Sequence, residues 1–150
     1  MHRRSLLAFA LLLPACGYRP KKPLAPPRVT ITGLRQIDGQ WLIKLRLQNL
    51  VDADMYLHRL DLQLVIAGQQ IQVQTGPPMS ILPGLATEVV EQPIPISLPI
   101  VQALERAGAR RDSVPYELTG SAYTSEPQRR FEVVQEGFLS AVPGRANEYR

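Results

Sequence analysis

The densest set of side chains able to do chemistry is Asp52, Asp54, His58 and Asp61. Two carboxylates two residues apart in a loop are a start on an oxygen cage for calcium, and a nearby imidazole would suit a transition metal. An EF-hand also needs a glycine and a bidentate glutamate at fixed downstream positions, and neither follows. The cluster therefore reads as turn-forming aspartates leading into a strand on which Asp61 is exposed. His58 reads as an ordinary strand-edge histidine. Glu88, Glu91, Glu132 and Glu136 are carboxylates that acid–base catalysis would need in pairs, but each stands in an alternating stretch and reads as a solvated face. The other histidine is His2, inside a segment expected to be removed, so neither a His-based triad nor a two-His zinc site can be assembled. Nucleophile-elbow and phosphate-loop patterns are absent. The expectation is a chain that is not an enzyme, with no catalytic residue, metal ligand or cofactor. A small-molecule or metal-binding module built on the 52–61 loop is the last of three functional readings.

The aromatic residues give binding chemistry no firmer footing. Trp41 stands on an alternating strand and reads as core, while Tyr56 is a candidate for facing a ligand at an open end. Tyr116 and Tyr123 fall on opposite faces of one strand, so one of them is expected outside.

The 150 residues carry 17 Lys and Arg against 13 Asp and Glu, for a net charge of +4 and a pI near 9.6. That balance invites a nucleic-acid or membrane-surface reading, so the location of the charge decides. Arg3 and Arg4 precede an apolar run over 6–13 that ends in Leu13-Pro14-Ala15-Cys16. A basic start, a short apolar core and a small residue before the cut are the parts of an export signal, and eight apolar residues are far below the roughly 20 that span a bilayer. Residues 17–28 hold Pro20, Pro23, Pro26 and Pro27 with Arg19, Lys21, Lys22 and Arg28, the composition of an extended tether. Without the signal and the tether, residues 29–150 keep 11 cations against 13 acids. The expected folded body is mildly acidic and lacks the basic, aromatic-interleaved stripe of a nucleic-acid binder.

The Leu-Pro-Ala-Cys tetrapeptide resembles the lipobox of bacterial lipoproteins. The resemblance implies cleavage between Ala15 and Cys16 and a lipid on Cys16, the new N-terminus. Gly17 is not the aspartate that holds many such proteins in the inner membrane. The implied location is the cell envelope, with the outer membrane facing the periplasm favoured.

From Val29 onward the elements are strands. Trp41, Ile43, Leu45 and Leu47 alternate with polar or outward residues, and Asp38-Gly39 before them is a hairpin turn. Leu60, Leu62, Leu64 and Ile66 make the next alternating face, and Ala67-Gly68 turns it into Ile71 and Val73. Pro77-Pro78 stops that strand and Pro83-Gly84 makes a turn. Pro93 and Pro95 confine the following stretch to a sheet edge or outside it. A helix is expected over about 99–108, with Ser97 as its cap and Gly108 as its stop. Strands resume at Tyr116 and at Phe131. One domain over 29–142 is expected, after a signal over 1–15 and a tether over 16–28, with a loose tail over 143–150. Seven evenly spaced strands and one helix imply an all-β sandwich.

Asn49, the spaced apolar residues Met55, Leu57, Leu60, Leu62 and Leu64, the turn glycine Gly68 and the Pro83-Gly84 loop before a single helix resemble the type 2 late-embryogenesis-abundant family. That family is also called LEA14-like, or the WHy domain, and the resemblance covers about 29–140. Leu50 departs from it, since proline normally follows the asparagine. The resemblance implies a fibronectin-III/immunoglobulin-like seven-stranded β-sandwich. It also implies a non-enzymatic role in desiccation or envelope stress, exerted by binding other proteins. A second reading is an envelope-assembly adaptor docking a specific outer-membrane partner. Expected partners are the membrane, through Cys16, and client or envelope proteins, with no nucleic acid.

Overall fold

The computed structural model describes residues 23–75 and 81–150. The expected signal segment with Ala15, the lipid-bearing Cys16, residues 17–22 of the tether and the Pro77-Pro78 stop lie outside the described residues. The strands are β1 (Arg28–Ile37), β2 (Gln40–Gln48), β3 (Met55–Ile66), β4 (Gln69–Thr75), β5 (Ile81–Leu82), β6 (Thr87–Pro93), β7 (Ser113–Ser125), β8 (Gln128–Ser140) and β9 (Glu148–Tyr149), with α1 (Leu98–Arg110) between β6 and β7. They form two antiparallel sheets, β6-β2-β1-β9 and β4-β3-β7-β8, with β5 also paired to β3. The expected all-β sandwich is what forms. Seven strands are long, and β5 and β9 add two residues each.

The alternation seen in the sequence is what the two sheets bury against each other. Ile43 and Leu45 of β2 and Leu60, Leu62, Leu64 and Leu118 of the facing sheet are fully buried, each stabilising the fold by about 2 kcal/mol. Trp41 is buried with them, and of the two β7 tyrosines Tyr116 is the inner one. Both expected hairpins form on left-handed turn residues, Asp38 and Gly39 in one and Ala67 and Gly68 in the other, the conformation that matches strand twist.

Two strands change which parity they bury, and each does so at a bulge. On β1, Val29 and Ile31 point inward before the irregularity between Ile31 and Gly33, and Leu34 does so after it. On β3, Met55 and Leu57 are buried before the irregularity between Leu57 and Arg59, and Leu60, Leu62, Leu64 and Ile66 after it. An extra residue resets a period-two pattern, so His58 is the bulged residue of an inner strand rather than a strand-edge histidine.

Three boundaries differ from expectation. The helix runs through Gly108 to Arg110, and it is Arg111, in the left-handed region, that ends it, its N–H bonding back to Gly108. Ser97 has the extended N-cap backbone but makes no side-chain cap bond; its carbonyl accepts from Ile100 and Val101. The 143–150 tail is not loose. Its strand β9 pairs with Leu34 and Arg35 of β1, Ser140 and Arg150 exchange two backbone bonds, and Tyr149 is 5% exposed against Trp41, their ring centroids 6.2 Å apart. A short polar terminus carries little periodicity, but one aromatic on a buried seam is enough to dock it. The tether is shorter than expected, because Pro27 is already buried and Arg28 opens β1.

The sandwich is polarised along its strands. Arg28 lies opposite Gln48 and Leu57 opposite Thr124. The tether, the 49–54 loop, the 83–86 turn and the 125–128 turn therefore share one end. The hairpins at 38–39 and 67–68 and the helix share the other, roughly 35 Å away along β3. Pro93 pairs with Leu42 on the outermost strand, β6, an edge position as its missing N–H demands.

Candidate functional site

The tether-side end is organised by Asn49, which is 1% exposed. Strand β2 ends one residue earlier, so the asparagine turns into the sandwich while the chain leaves for β3. Its Nδ2 donates to the carbonyls of Ala53 at 2.8 Å, Leu82 at 3.1 Å and Pro83 at 3.1 Å. Its Oδ1 accepts from the Val51 N–H at 3.2 Å, and its own N–H donates to the Ala86 carbonyl at 2.9 Å. One side chain thus ties the 49–54 loop to the 82–86 turn and satisfies carbonyls that burial would otherwise orphan.

Further bonds close the same knot. Gly84 N–H donates to Asp54 Oδ1 at 3.1 Å, and Leu85 N–H donates to the Val51 carbonyl at 3.0 Å. Gly84 is needed for close approach, since a Cβ there would sit 2.8 Å from the Ala53 nitrogen. The left-handed position of this turn belongs instead to Leu85, with φ 60°, the turn being closed by Ala86 N–H on the Pro83 carbonyl. Of the four motif residues singled out in the sequence, Asn49, Pro83 and Gly84 meet here. Gly68 is at the opposite end in the β3–β4 turn. Separation along the chain hid the meeting, because the Asn49–Pro83 bond joins residues 34 apart.

The proposed polar cluster does not converge. Asp54 is engaged by Gly84, Asp61 pairs with Arg59 at 3.0 Å, and His58 is exposed. Among the described residues no group of three or more His, Cys, Asp or Glu side chains is placed to hold a metal ion. Tyr56 is on the surface and lines an open groove of about 1010 Å³ with Pro23, Leu24, Asp54, Pro127 and Arg129. Tyr123 lies half-buried beneath the Arg59 guanidinium, 4.4 Å from the ring centroid.

The four glutamates are also dispersed. Glu88 and Glu91, three apart, lie on opposite faces of β6, and Glu88 is turned half inward rather than solvated. Glu132 and Glu136 are exposed on β8 of the other sheet. Glu91 sits between Arg35 at 2.9 Å and Lys44 at 3.3 Å. Desolvation pushes its carboxyl up, but the hydrogen bonds and charges of Lys44 and Arg35 together outweigh that and hold it below the ordinary 4.5. At the seam, the Arg145 hydrogen bond outweighs desolvation and, with Arg150, holds Glu148 low as well. One carboxylate pair forms only across strands: Glu117 and Glu136 lie directly opposite on β7 and β8, both exposed. Their register, which decides this, is not legible from either strand alone.

Among the described residues no helix is long and apolar enough to cross a membrane. No protein-family model matches the chain, and no curated protein matches it in sequence. Solved structures match its shape. The solution structure of AT1g01470 from Arabidopsis thaliana superposes with a TM-score of 0.57 at 16% identity, covering 83% of this chain and 87% of that one. A second solution structure, of At2g46140.1, provisionally described as a late embryogenesis abundant (LEA) protein, gives a TM-score of 0.50 at 15% identity, over 81% and 74% of the two chains. At these identities the likeness speaks for architecture. In fold the chain is similar to a late-embryogenesis-abundant protein, the architecture that the Asn49, Gly68 and Pro83-Gly84 resemblance implies.

Proposed function

We propose that this chain is a lipid-anchored envelope protein of the LEA14-like family. Its sandwich acts without catalysis, binding other proteins and limiting their damage under desiccation or envelope stress. The observation that carries the reading is the shared fold with the LEA protein, to which the Asn49 and Pro83-Gly84 pattern adds residue-level support. The lipobox-like Leu13-Pro14-Ala15-Cys16 supports the anchor, and with Gly17 next to it an outer-membrane, periplasm-facing location. Client contact would use the sheet edges and end loops. Strands β4 and β8 bound the five-stranded sheet, and Val134 and Phe138 of β8 are exposed. The test is protection of several unrelated enzymes from aggregation on drying or heating by the unlipidated mature chain. Protection of several supports the reading; protection of none, with one stoichiometric partner crosslinked in intact cells, replaces it with the adaptor reading.

A further inference from the structure

Nine large apolar side chains are exposed among the described residues, and four of them crowd the tether-side end: Leu50 at 43%, Tyr56 at 38%, Ile81 at 50% and Leu85 at 64%. Backbone pairing brings them together two by two. Tyr56 and Ile81 are directly opposite partners in the β3–β5 pairing, both outward. Leu85 is bonded through its N–H to Val51, the neighbour of Leu50. Leu85 is the strongest anomaly. Its φ of 60° is a conformation that favours glycine or asparagine in such a turn. Its side chain buries little in return, so folding gives no reason for a leucine there. The Asn49 knot beneath makes the presentation rigid.

The position of this end in the chain names the surface it meets. Described residues begin at Pro23, seven residues after Cys16, and seven extended residues reach at most about 25 Å. If Cys16 is held in lipid, the apolar end is the part of the body kept within that distance of the bilayer. Arg19, Lys21 and Lys22 lie in the intervening segment, where cations favour anionic headgroups. Charge at the tip itself is mixed, with Arg28 and Arg129 against Asp52, Asp54 and Glu126, and Asp54 occupied by Gly84. Apolar contact, not a basic patch, is therefore the driving interaction.

We infer that the tether-side end is a lipid-docking tip, in which Leu50, Ile81 and Leu85, flanked by Tyr56, enter the headgroup boundary of the membrane. The inference rests on the anchoring reading for which surface is within reach, and the lipid-free experiment below separates the two. Docking fixes the sandwich upright on the bilayer with its helix end outward, an orientation that a lipid on Cys16 does not impose by itself.

The experiment uses the mature chain from position 16 carrying Cys16→Ser, which has no acyl group and no cysteine. A single Leu85→Cys change then takes an environment-sensitive dye, with Phe138→Cys as the far-face control. On vesicles of phosphatidylethanolamine and phosphatidylglycerol, the position-85 dye should shift to the blue and the position-138 dye should not. The triple change Leu50→Ser, Ile81→Ser, Leu85→Ser should weaken vesicle sedimentation by about 100-fold with an unchanged melting temperature, since each side chain is already exposed. If the triple variant binds as well as its parent, and binding vanishes in high salt, the tether cations account for it and the tip is overturned. If the unlipidated chain ignores vesicles while a photocrosslinker at position 85 joins one protein in cells, the tip is a protein-docking surface and the lipid assignment falls. A chain found without lipid on Cys16 that still inserts position 85 would sink the anchor and leave the tip standing.

Discussion

Asn49 Nδ2 lies 3.1 Å from the Pro83 carbonyl, joining the exit of one sheet to the turn that enters its edge strand. The amide NH2 serves three carbonyls on two loops, and no other residue type of this size supplies two donors and an acceptor at one buried point. Asn49→Ala should destabilise the chain by about 2–4 kcal/mol, because the Ala53, Leu82 and Pro83 carbonyls lose their partner. Asn49→Asp should cost more, since it places carboxylate oxygens against those carbonyls. Urea unfolding followed by tryptophan fluorescence checks both; an Asp variant as stable as the parent would contradict the donor assignment.

Gly84→Ala puts a Cβ 2.8 Å from the Ala53 nitrogen, with backbone on both sides of the clash. The expected cost is about 1–3 kcal/mol. Gly120→Ala should be worse, because its φ is 148° and the new carbon would fall 2.1 Å from the Asp61 carbonyl oxygen in the middle of the β3–β7 pairing. The discriminating measurement is the order of the two melting temperatures.

Tyr149→Ala should cost about 2–4 kcal/mol despite its place one residue from the chain end, since the ring is buried against Trp41. Burial first, and the Glu105 charge second, raise the Tyr149 hydroxyl above the ordinary 10. A raised acid contributes stability below pH 10 that is lost as pH rises through the folded value. The melting temperature of the parent should therefore fall above pH 10 more steeply than that of Tyr149→Phe.

Glu91 runs the opposite way. Its lowered pKa means that the Arg35–Glu91–Lys44 contact contributes above pH 4.5 and is lost as pH falls below it. The contact is a third exposed and screened, so the effect is modest and shrinks further in salt. Glu91→Gln should melt below the parent at pH 7 in low salt and alongside it near pH 3. A gap that persists in acid would show that packing, not charge, holds β6.

Under the proposed anchor, Cys16→Ala should turn a membrane-retained chain into one washed free by dilution, because docking by a few apolar side chains holds far more weakly than several acyl chains together. Fractionation with mass measurement of the N-terminus reads this directly. Retention through repeated washing would remove the anchor.

Much of the fold was legible because a two-faced strand must write its period in apolar residues. The β2 alternation, the two left-handed hairpins, the edge position of Pro93 and the burial of Trp41 all follow from local chemistry. The bulges were half-written: Met55 and Leu57 against Leu60 and Leu62 show a change of parity, but only pairing to β7 puts the extra residue at His58. The docked tail is not legible because Glu148 and Tyr149 are too short a run to carry a period. The helix continues past Gly108 because that glycine answers a close neighbour, the Ala141 side chain 3.2 Å from where its Cβ would lie, and not a left-handed stop.

What the sequence determined by itself is the order and character of the parts: a signal-like start, one cysteine at its end, a proline-rich approach that carries the excess positive charge, and a two-faced β body that is mildly acidic. Tertiary structure decided which distant residues became neighbours. Asn49 met Pro83 and Gly84 while Gly68 went to the far end, Asp54 was spent on a glycine N–H, and Leu50, Tyr56, Ile81 and Leu85 were gathered beside the tether. Periodicity fixes which way a side chain points, but register and loop closure fix whom it meets, and those depend on pairings between strands that no local stretch contains.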